Sequence, residues 1–104
     1  MKVIEMADQT NFDFPIVDAE IISKCFSISF AHVGTRALWM ELVWQMANVN
    51  NKRCSPEEKA DRVIRAFNDW VAAAEPSEAL RSELKDQLWR AFSIKRGDNE
   101  SAYH

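Results

Sequence analysis

Apolar residues recur along most of this chain at the three-to-four spacing of helices. The plainest case is 56–74, where Ala60, Val63, Ile64, Phe67, Trp70, Val71 and Ala74 fill one stripe. Glu58, Arg62, Arg65 and Asp69 occupy the opposite face and set opposite charges four residues apart. Ser55-Pro56-Glu57-Glu58 opens this helix as a capping box: serine at the cap, proline where a missing N–H is no loss, and glutamate three residues after the cap. Pro76 begins another helix, 77–94, with Leu80, Leu84, Leu88 and Ala91 as its stripe and Asp86–Arg90 as an i,i+4 pair. So short a link between two amphipathic helices predicts an antiparallel hairpin.

The front half is less uniform. Pro15 leads into a helix over 16–32, with Asp13 or Asp18 as cap and Glu20 in the first turn, where a carboxylate favours the unpaired amides. Ile21, Cys25 and Ile28 keep a helical spacing, as do Ile22, Phe26 and Ser29, yet Phe26-Ser27-Ile28-Ser29-Phe30 also alternates with period two. Thr35 is the predicted N-cap of a helix over 35–49, which Asn48, Asn50 and Asn51 end before the basic loop Lys52-Arg53. The expected fold is all-α: a small four-helix bundle behind an extended arm (1–14), with a mobile polar tail (95–104), in a single domain. The alternative is α+β, with a short strand pair from residues 2–6 and 26–30, the only segments able to pair. Two glycines and three prolines suit helices joined by few turns.

The 104 residues are 47% hydrophobic and 28% charged, enough to bury a core without staples. The net charge is −3, and residues 1–50 hold six acidic against three basic side chains, which is not the signature of a phosphate-tracking protein. Cys25 and Cys54 form no CxxC, the N-terminus lacks a signal-type apolar segment, and no run approaches the roughly 20 apolar residues of a membrane span. The expectation is a cytoplasmic protein with two reduced thiols, or one in a host cytoplasm if phage-encoded.

Candidate chemistry is sparse. Cys25 and His32 are the one nucleophile–base combination, with no third group to orient the base. A metal held by Cys25, His32 and Cys54 lacks both a fourth ligand and the paired spacing of structural zinc. No GxGxxG or Walker loop is present, so no nucleotide cofactor is implied. Arg96-Gly97-Asp98 reads as a helix stop rather than an adhesion motif. No catalytic, cofactor or metal residues are assigned, and the chain is expected not to be an enzyme.

Binding surface is a different matter. On the helix through 36–48, Glu41, Gln45 and Asn48 share a strip only about 60° wide at 100° per residue. Leu38, Trp39, Met40, Leu42, Val43, Trp44, Met46 and Ala47 occupy most of the rest. This helix needs cover on at least two sides, and the arc at Trp39, Met40 and Trp44 is the first candidate for a partner contact, since Trp and Met are enriched at interfaces. The second is Trp89, roughly 140° from its helix's stripe and beside Lys85. The third is Phe12-Asp13-Phe14 in the acidic arm, where aromatics insert and carboxylates meet a basic surface.

The leading expectation is therefore a non-enzymatic protein-binding module, an adaptor or inhibitor occupying the surface of another protein or protein complex. A glycine-poor, Trp-rich acidic domain suits the small inhibitors that phages direct at host defence complexes, anti-CRISPR proteins among them. A homodimeric structural or assembly protein is the alternative. A helix-turn-helix-like nucleic-acid binder comes third, because 35–48 offers Trp, Met, Leu and Val with one Arg where base readout needs polar side chains. Lys52, Arg53 and Lys59 are its one basic cluster.

Overall fold

The computed structural model describes residues 17–94, and every regular element among them is helical: α1 (Ala19–Ser29), α2 (Val33–Ala47), α3 (Pro56–Ala74) and α4 (Glu78–Ala91). The all-α expectation holds. The strand alternative does not, because Phe26 to Ser29 lie in α1; residues 2–6 fall outside the described residues. Burial agrees: Ile21, Cys25 and Ser29 turn inward while Ser23 and Ser27, which a strand would place on the same face, stay exposed.

Each helix end has a local cause. Asp18 begins α1, where its backbone N–H donates to Gln87 Oε1 at 2.7 Å and its carboxylate accepts from Gln87 Nε2 at 3.2 Å, a two-way clip from α1 to α4. α2 begins two residues before the predicted cap. His32, with extended backbone, is the N-cap, and Thr35 lies inside the helix, buried on the same stripe as Trp39 and Leu42. α3 starts as its sequence predicts, with Glu58 N donating to Ser55 Oγ at 3.1 Å. Pro76 lies one residue before the cap of α4; Ser77 is that cap, accepting from Leu80 N at 3.2 Å.

α4 stops at Ala91, short of the predicted end at 94. The Ile94 N–H reaches back to Trp89 O at 2.8 Å and the Ser93 N–H to Arg90 O at 3.3 Å, with Ser93 at φ 58°. This is a Schellman closure in which a serine holds the left-handed position that glycine takes most readily.

α2 pairs most extensively with α3, and its other main neighbour is α1; α4 packs against α1 and α3. The α3–α4 hairpin contact exists but is not the main one. Beside these two neighbours, Val33, Met40 and Trp44 of α2 stay exposed. The core runs through Trp39, Leu42 and Met46 of α2, Val63, Ile64, Phe67 and Trp70 of α3, and Leu84, Leu88 and Trp89 of α4. Trp39 and Trp70 meet at 5.4 Å between ring centroids, joining the two main helices. No helix among the described residues is long and apolar enough to cross a membrane.

Candidate docking face on α1 and α2

α2 carries two apolar stripes. Thr35, Trp39, Leu42 and Met46 turn into the core. Val33, Ala37, Met40, Trp44 and Ala47 lie about 150° around the same helix and are all exposed. The arc predicted as one binding surface is thus divided between them: Trp39 has no exposed area, whereas Met40 is 49% and Trp44 64% exposed. Trp39 is corrected from partner anchor to core residue.

α1 adds to the outer stripe. Phe26 and Phe30 are 45% and 44% exposed, four residues apart, with their rings in tilted contact at 4.5 Å. Between the helices lies an open groove of about 330 Å³ lined by Ile22, Phe26, Trp39, Met40 and Val43. Arg36 borders this face, its guanidinium 4.7 Å from the Phe30 ring centre and donating to the Phe30 carbonyl at 3.4 Å. Val33, at 75%, is the most exposed large apolar residue among those described. Phe26, Phe30 and Val33 were absent from the sequence-derived candidates. The available signal was that Ile21, Cys25 and Ser29 already supply an inward stripe for α1, which leaves the Phe26/Phe30 pair facing out.

The second predicted anchor is also a core residue. Trp89 is 4% exposed and meets Phe67 edge-on at 5.5 Å. Lys85 lies beside it, Nζ 5.5 Å from the ring centre. α4 is sandwiched between α1 and α3, so it buries a wider arc than its leucine stripe alone indicates. Among the described residues, the buried indole N–H groups of Trp39 and Trp89 find no hydrogen-bond partner. Phe12, Asp13 and Phe14 lie outside the described residues.

A smaller pocket, about 150 Å³, opens on the far side of Trp44, between it and Asn48, Asn51, Cys54, Lys59 and Arg62. Its cations already have partners: Lys59 Nζ donates to Val49 O at 2.9 Å, and Arg62 pairs with Glu58 at 3.1 Å. Asn48 donates to Trp44 O at 2.8 Å and accepts from Asn51.

The sequence-derived nucleophile pair is not assembled as a reactive couple. Cys25 is fully buried, and burial pushes its thiol up to about 12, so it is protonated at neutral pH. His32 is exposed at the N-cap of α2. Among the described residues no group of three or more His, Cys, Asp or Glu is placed to hold a metal.

Fold and surface together define a class: a small all-α domain with an apolar face that no other described residue covers. Comparison with protein-family models, curated proteins and solved structures finds no match to this chain.

Proposed function

We propose that this protein is a non-enzymatic protein-binding module that acts by laying the α1/α2 face onto a protein surface. One observation carries the reading: Val33, Met40 and Trp44 share one stripe of α2, Phe26 and Phe30 of α1 adjoin it at the groove, and each of the five is at least 44% exposed. With large side chains presenting roughly 150–250 Å² each when fully open, they leave on the order of 500 Å² of apolar surface in water. That lies within the ~300–600 Å² of the largest patch on an ordinary monomer, a size that is often functional.

The chemistry around the patch agrees. Arg36 and Glu41 are the charged residues beside the outer stripe, and Arg36 is folded over Phe30, so the face has the charge-poor centre typical of protein interfaces. A nucleic-acid-reading helix needs polar side chains turned outward, and α2 turns out Val33, Met40 and Trp44.

The test is site-specific photo-crosslinking of the full chain in its source cell, with the reactive side chain at position 40 and a control at position 65 on the polar face of α3. Protein adducts from position 40 in clear excess over position 65 are expected. Equal yields from the two positions would refute the reading.

A further inference from the structure

We infer that the protein that fits this face is a second copy of the chain, with the two α2 helices packed antiparallel. The inference rests on the docking reading above and narrows it to one partner. The outer stripe, residues 33, 37, 40, 44 and 47, advances by four, three, four and three: a heptad seam two turns of repeat long, as regular as the inner seam 35, 39, 42 and 46. The inner seam has its partner in α3; the outer one has none among the described residues.

The outer seam also fits itself. When two copies run antiparallel and are centred between residues 38 and 39, Trp44 of each lies across from Val33 of the other, and Met40 from Ala37. Each of these layers then pairs a large side chain with a smaller one, which is the condition for interdigitated packing at even density. A two-fold interface requires this reciprocity, residue i on j and j on i.

The arrangement puts the α1 side of one copy against the α1 side of the other. The Phe26/Phe30 pairs then extend the same apolar surface instead of meeting a polar helix. The areas agree as well. A standard interface covers about 800 Å² per partner, some 56–65% of it apolar, or about 450–520 Å². The exposed patch supplies on the order of 500 Å².

The experiment is sedimentation equilibrium of the full chain over a wide concentration range, for wild type, Val33→Trp, Trp44→Val and the double variant. Both positions are exposed, so the variants retain the fold. Wild type should be dimeric. Val33→Trp sets two tryptophans against each other and Trp44→Val empties the layer, and each should raise the dissociation constant at least about tenfold. The double variant exchanges the sizes and should recover to within about threefold of wild type. A chain that is monomeric at every concentration, or a double variant no better than the weaker single one, overturns the inference. Crosslinking from position 40 tells the two failures apart: adducts to a different protein keep the docking reading and remove the second copy, while no excess over position 65 removes both.

Discussion

The indole N–H of Trp70 donates to the hydroxyl of Ser29 at 2.7 Å, and that hydroxyl donates onward to the Cys25 carbonyl at 2.6 Å. All three residues are fully buried. The serine therefore accepts for α3 and donates within α1, joining two helices through one oxygen in a medium where an unpaired donor is costly.

Ser29→Ala removes that acceptor and leaves the Trp70 N–H orphaned in the core. The expected loss is about 1–3 kcal/mol, read as a lower urea midpoint at unchanged slope. Ser29→Ala combined with Trp70→Phe should lose less than the sum of the two single changes, because the donor and its acceptor leave together.

Ser93 holds the left-handed closing position of α4 at φ 58°. An L-residue there is strained by roughly 1–2 kcal/mol, and glycine is not. Ser93→Gly should therefore raise stability by about 0.5–1 kcal/mol after the added freedom of the unfolded glycine is discounted, measured as a rise in Tm.

Cys25 makes stability fall in alkali. Its folded pKa, about 12, lies above the ordinary value of 9.0. Between those values the unfolded chain releases a proton that the folded chain keeps, so the contribution is complete below pH 9 and lost as pH rises towards 12. The slope reaches at most about 1.4 kcal/mol per pH unit. Cys25→Ala lowers stability overall but should lack this part of the alkaline slope. Parallel stability–pH curves for the two proteins would contradict the assignment.

The two tryptophans of α2 should behave oppositely. Trp39→Ala opens a cavity against Trp70 and is expected to cost about 3–5 kcal/mol. Trp44→Ala, on the outer stripe, should change monomer stability by no more than about 0.5 kcal/mol when both are measured dilute enough that association drops out. Similar losses at the two positions would contradict the two-stripe description of α2.

Helix existence was legible from residue order because it depends on local physics. Spacing within Pro56–Ala74, a serine able to accept from the third amide after it, and a shortage of turn residues suffice for that. Boundaries were less legible where no glycine or cap marks them, as at Ser93, whose strained closure residue order does not announce. Excess apolar perimeter on α2 was legible too, but its direction was not. Which of Trp39 and Trp44 faces inward depends on where α1 and α3 lie, and Trp89 is hidden only because α4 has neighbours on two sides. The local pattern along the chain thus determined four helices and a greasy α2. Only the long-range packing of α3 against α2, and of α1 and α3 against α4, decided that Trp39 and Trp89 are core while Phe26, Phe30, Val33, Met40 and Trp44 remain outside.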